Sequence, residues 1–159
     1  MIIIADSSPL ITLALIDKLA VLEKLYRELY VPDAVFQEVT QAKKPFAETL
    51  KLFLDGRTKD VSNKLAVEML SNDVGAGEAE AIVLGLEQRP SVVLIDDLKA
   101  RKFAKINGLD VIGSMGILLK AKRAGLVEDI KPLIATLLLH DIRISTKIID
   151  MTLQAAQEG

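Results

Sequence analysis

The chain has 159 residues, 50% of them apolar and 26% charged, which argues against disorder and gives enough length for one domain with a sizeable core. It has no cysteine and one histidine, which rules out disulfides, thiolate chemistry and cysteine–zinc sites and argues against histidine triads. The net charge is -2 and the pI about 5.5, so contact with nucleic acid must rest on a local basic patch.

In chain order, Ile2-Ile3-Ile4 is β-branched and continuous and predicts a buried strand closed by Asp6. No basic region precedes it, as a signal peptide would require, and no apolar run nears the roughly 20 residues of a membrane span. The lack of cysteine suits a reducing cytoplasm. In Ser7-Ser8-Pro9 a serine can cap the next helix and Pro9 fits its first turn; the helix runs through Leu10, Leu13 and Ala14. A second helix is expected from about Leu19 to Glu28, then a short strand at Tyr30-Val31. After Pro32-Asp33 a helix places Val35, Glu38, Val39 and Ala42 on one stripe. Glu38 is the only acid in that otherwise apolar stripe. Helices follow over Phe46 to Leu54 and Asn63 to Leu70, with an edge strand within Gly56 to Val61.

Val74 to Ile82 carries two glycines and then an alanine-rich helix with Ala79, Ile82, Val83 and Leu86 on its apolar face. At about 100° per residue Glu78 and Glu80 diverge by roughly 200°, so only one can aim at a given site. Glu78 lies nearer the amino end, where the helix dipole favours a carboxylate. Val92-Val93-Leu94-Ile95 then reads as a strand buried on both faces, running into Asp96-Asp97. A helix with Ala100, Phe103 and Ala104 on one side follows, and Leu109 to Ile112 reads as a further strand. Three more helices complete the chain: Ser114 to Lys122, Asp129 to Leu139, and Ser145 to Gln157. Strands alternating with helices predict a three-layer α/β/α fold around a mostly parallel sheet of four to five strands, in one domain spanning 1–159.

Open parallel sheets place ligands at the carboxyl ends of their strands. Asp6 and Asp96 end strands, Glu38 interrupts an apolar stripe, and Glu78 opens a helix just before the Val92 strand. Carboxylates converging without histidine or cysteine suit a hard cation, magnesium or manganese, which can activate water and neutralise a phosphate. Unrelated surface and capping acids are the plainer alternative.

These residues resemble the PIN-domain family, and within it the VapC-like prokaryotic subgroup. The resemblance is carried by Ile3 to Ile11, by Val31-Pro32 with Glu38 downstream, and by Gly75-Ala76-Gly77-Glu78-Ala79-Glu80-Ala81-Ile82. Leu94-Ile95-Asp96-Asp97 with Ala100-Arg101, and Gly108 to Ser114, complete it. It implies a magnesium- or manganese-dependent ribonuclease with Asp6, Glu38, Glu78 and Asp96 as catalytic acids. Asp6, Glu38 and Asp96 would hold the metal, with Asp97 as an auxiliary acid, and Glu78 would orient water or a second ion. It also implies a toxin of a toxin–antitoxin pair, an antitoxin protein as partner, and a homodimer. The chain departs from the subgroup in carrying Glu78 where many members have aspartate, and in lacking the threonine that precedes their fourth acid.

Weighed singly, Asp33 is a helix-start residue, Glu80 and Glu87 are solvated helix acids, Asp110 is an edge acid, and His140 ends a helix. Asp97 is equally read as a helix cap. The Lys99, Arg101, Lys102 and Lys105 cluster is a solvated face or, with Ser7, a contact for RNA phosphates. Aromatics are 4% of the chain, which makes base stacking a poor means of recognition. The apolar series Ile144, Ile148, Ile149 and Leu153 is core or a partner groove. Competing functions are a catalytically silent PIN-fold module that binds RNA or protein, and a receiver-like phosphoryl-transfer domain, which lacks a well-placed lysine.

Overall fold

A computed structural model describes residues 1–159. Five strands, β1 (Ile2–Ala5), β2 (Glu28–Pro32), β3 (Thr58–Lys59), β4 (Ser91–Leu94) and β5 (Asp110–Ile112), form one sheet in the order β3-β2-β1-β4-β5. Every pairing is parallel, with Ile3 beside Leu29 on one side and Val92 on the other. Parallel neighbours need crossovers, and helices supply them. On the β3 side these are α1 (Ser7–Leu15), α2 (Ala20–Leu25), α3 (Asp33–Val39) and α4 (Ala47–Phe53). α5 (Lys64–Leu70) and α6 (Ala76–Glu87) return the chain to β4, and α7 (Leu98–Ile106) leads on to β5. α8 (Ser114–Arg123), α9 (Lys131–Leu139) and α10 (Thr146–Ala155) close the chain.

The alternation of side chains along β1 and β4 divides the core. Ile3, Ala5, Val92 and Leu94 face a cluster with Leu10 and Leu13 of α1, Ile117 and Leu118 of α8, and Leu137 of α9. Ile4, Val93 and Ile95 face the other way, onto Ala79 and Ile82 of α6 and Ala100 and Ala104 of α7. A sheet buried on both faces is why these strands read as unbroken apolar runs. The three-layer α/β/α architecture expected from the sequence is the one observed.

Small residues set the distance of α6 from the sheet. A Cβ on Gly85 would lie 2.7 Å from Val93 Cγ2, so only glycine lets the helix seat on β4. α6 is accordingly buried over more than one stripe, at Ala79, Ala81, Ile82, Val83, Leu84 and Gly85. Three local expectations give way. α2 stops at Leu25, because Tyr26 turns extended and buries its ring, and Glu28 then pairs with Ile2 in the ladder. The edge strand shrinks to Thr58–Lys59. The cap position of α1 is Asp6 rather than a serine, and Ser7 is already helical.

Candidate active site

β1 and β4 are neighbours whose chains leave in opposite directions, one towards β2 and β3, the other towards β5. Such a switch point opens a crevice at the carboxyl ends of the two strands. Asp6 directly follows β1, and its amide bonds the Leu94 carbonyl at 3.0 Å, tying it to the end of β4. Asp96 follows Leu94 by two residues. The two acids that sequence reasoning placed at strand ends thus stand at this one crevice.

Asp6 is 4% exposed and its side chain makes no cap bond to α1. Burial pushes its carboxyl up to about 7, helped by the negative charges of Glu78, Glu38 and Asp96 and opposed by the Ser7 amide. All four acids therefore share one electrostatic neighbourhood. Glu38 comes from α3, which packs on α6. Glu78 comes from the first turn of α6 and reaches back to accept the Gly75 amide at 3.0 Å. Gly77 brings this turn close: a Cβ there would lie 3.7 Å from Asp6 Oδ1 and 3.9 Å from Ser7 Oγ. Ser7 Oγ is buried with no hydrogen-bond partner.

Asp96 is held from the far side. Its Oδ1 accepts the Ser114 amide at 2.7 Å and its Oδ2 the Ser114 hydroxyl at 2.5 Å, both at the start of α8. A Cβ on Gly113 would come within 2.8 Å of both Asp96 Oδ1 and Arg101 Nη1, so a larger residue there would displace this carboxylate or the guanidinium. Arg101 donates to the Ile95 carbonyl at 3.0 Å. The four acids, Ser7 and Arg101 all line a single cavity of about 1290 Å³.

Other expected residues lie elsewhere. Asp97 is exposed and caps α7 by accepting the Ala100 amide at 2.9 Å; it does not line the cavity. Lys102 and Lys105 are exposed outside it, leaving Arg101 as the member of the basic cluster that enters. Glu80 is not a solvated acid: it is half-buried and accepts the Ala34 amide at 3.1 Å, serving the start of α3. Glu87 is exposed but accepts the Ser62 and Asn63 amides. Asp110 begins edge strand β5, and His140 ends α9 with Nδ1 2.9 Å from the Thr136 carbonyl. Sequence reasoning missed Lys44 and Arg143 as cavity residues and Ser114 as the partner of Asp96.

The donors suit a hard divalent cation in kind and in charge. They are all oxygens, Ser7 Oγ is unspent, and Asp6 carries a charge that its surroundings do not compensate. No three acids stand close enough together to form a metal-holding group. Magnesium needs only one or two carboxylates, keeping waters and taking substrate phosphate oxygens for the rest. Asp6 and Asp96 could provide those, with Glu38 and Glu78 acting through water.

Among comparisons with known proteins, the family model for the PIN domain matches residues 2–158, almost the whole chain. No curated protein and no solved structure matches. PIN domains are generally nucleases, their nucleases act on RNA, and they usually use divalent metals. No helix here is long and apolar enough to cross a membrane. With the parallel sheet, the acids at its switch point and a match over nearly its full length, the chain belongs to the PIN-domain family.

Proposed function

We propose that this PIN domain is a magnesium- or manganese-dependent endoribonuclease of the VapC-like subgroup, the toxin of a toxin–antitoxin pair. In this reading it is a single cytoplasmic domain that works as a homodimer and is held in check by an antitoxin protein. The observation that carries the nuclease reading is the buried carboxyl of Asp6, raised to about 7 among three other acids at the crevice between β1 and β4. A fold does not keep an uncompensated buried acid for stability, so a cationic ligand is its natural complement.

Asp6 and Asp96 would hold the ion directly and Glu38 through water; when bound, the ion would lower the pKa of water and neutralise charge on the phosphate. Glu78 would orient the attacking water, since its carboxylate has one amide partner and faces the same cavity. Ser114 holds Asp96 by one bond to each carboxylate oxygen, which sets its position before substrate arrives and leaves a lone pair on each oxygen for a ligand. Ser7 Oγ is free to donate to a ligating carboxylate or to phosphate.

The test is metal-titrated cleavage of single-stranded RNA. Asp6→Asn is expected to cost more than about 100-fold, and Ser114→Ala, which removes one of two bonds to Asp96, about tenfold. Equal rates in Asp6→Asn and the parent would overturn the nuclease reading. A second reading, a silent module that binds RNA or protein, draws on a specific observation: Glu78 and Asp96 are already bonded to Gly75 and Ser114, and no three acids form a metal-holding group. Divalent-ion binding without cleavage would favour it.

A further inference from the structure

The cavity does not end at the acids. Its other wall is the C-terminal segment from Asp141 through α10, which brings Arg143, Ser145, Ile148 and Met151 to the same space. Arg143 is held in place by its neighbours. Ile142 and Ile144 are half-buried against the main core on either side of it, and Ser145 caps α10 by accepting the Ile148 amide at 3.2 Å. Arg143 itself stands exposed between the two anchored isoleucines and lines the cavity. Its charge is unspent: the two ion pairs of the molecule are Arg57–Glu23 and Lys122–Glu158. Lys44 and Arg101, the other cations of the cavity, are equally outside those pairs.

Five carboxylates line the cavity, Asp141 with the four acids of the crevice, and an anionic chain can come up to them only where cations offset the repulsion. Much of this wall is aliphatic, with Ile148 39% and Met151 55% exposed. The cavity volume, about 1290 Å³, exceeds the roughly 300–1,000 Å³ of small-molecule pockets. We propose that this C-terminal wall is the RNA-binding bank of the site, with Arg143 holding a backbone phosphate and the aliphatic surface receiving unpaired bases of a single strand. In a duplex the bases are paired and stacked inside, so only unpaired ones can reach such a wall. Aliphatic contact also reads no base edge, so binding should be tolerant of sequence.

The proposal rests on the nuclease reading for the identity of the ligand, and its test separates the two. Binding of a fluorescent oligouridylate is followed by anisotropy in the Asp6→Asn background, so that nothing is cut. Arg143→Ala is expected to weaken binding about tenfold and to lower the log–log salt slope by roughly 0.7, one phosphate contact on a single strand. Arg143→Lys should restore most of the slope, and Lys24→Ala, on the exposed face of α2 away from the cavity, should leave both unchanged. A duplex of the same length should bind weakly and without regard to Arg143. Unchanged affinity and slope in Arg143→Ala overturn the proposal, as does a parent that binds no RNA; a wall that receives a protein helix would give the first of these results. Cleavage by the wild type is measured separately. RNA binding that depends on Arg143, in a chain that never cuts, would sink the nuclease reading and leave this bank standing.

Discussion

Two carboxyl groups with little access to water end in opposite states. Glu158, near the C terminus with its side chain 9% exposed, is bonded by Lys122 at 2.8 Å and by the Ile130 and Lys131 amides, and these hold its carboxyl down to about 2. Asp6, 4% exposed at the end of β1, has no cation beside it and three acids around it, and sits at about 7. The first is a tie: it fastens the end of α10 to the start of α9. The second is a demand for a partner that the chain does not supply. Low side-chain exposure alone therefore says little about an acid's role; the depth of its burial and the balance of its partners say much.

The largest expected effect on folding lies at Asp6. Its folded value of about 7 stands above the ordinary 3.8, so between those values the folded chain holds a proton that the unfolded chain has lost. Stability from this group is full below the unfolded value and is lost as pH rises through 7. Asp6→Asn should then stabilise the protein at pH 8 by up to about 4 kcal/mol while leaving it little changed at pH 4. Urea unfolding of both proteins at the two pH values would show this, and a variant less stable than the parent at pH 8 would erase the contrast.

A smaller effect of opposite sign belongs to Glu158. Its lowered value adds stability that is complete above the ordinary 4.5 and is lost as pH falls through about 2. Glu158→Gln should lower the melting temperature by a few degrees at pH 7, with the gap closing on acidification, and should leave RNA cleavage unchanged. A loss of cleavage comparable to that of Asp6→Asn would mean that the tie and the crevice are not separate regions.

The parts legible in the sequence are those with short-range signatures. Ile2 to Ile4 and Val92 to Ile95 are apolar on both alternating faces, which marks strands inside a parallel sheet, and Asp6 and Asp96 follow from where those runs stop. Glu38 was visible because it breaks a stripe, and Glu78 because it opens a glycine-led helix. Ser114 and Arg143 gave no such sign. Ser114 matters through a contact 18 residues away in the chain, and Arg143 through a cavity that exists only once α10 is packed. Glu80 misled for a related reason: it reads as a solvated helix acid, and only the packing of α3 on α6 brings the Ala34 amide to it. Asp97 was equally legible as ligand or cap, and the short turn into α7 makes it the cap.

The acids of positions 6, 38, 78 and 96 are proposed to share one divalent ion. Crystals soaked in manganese and measured at its absorption edge test it most directly. One anomalous peak is expected in the crevice between Asp6 and Asp96, absent from crystals of Asp6→Asn. No peak there, or an equal peak in the variant, would contradict it.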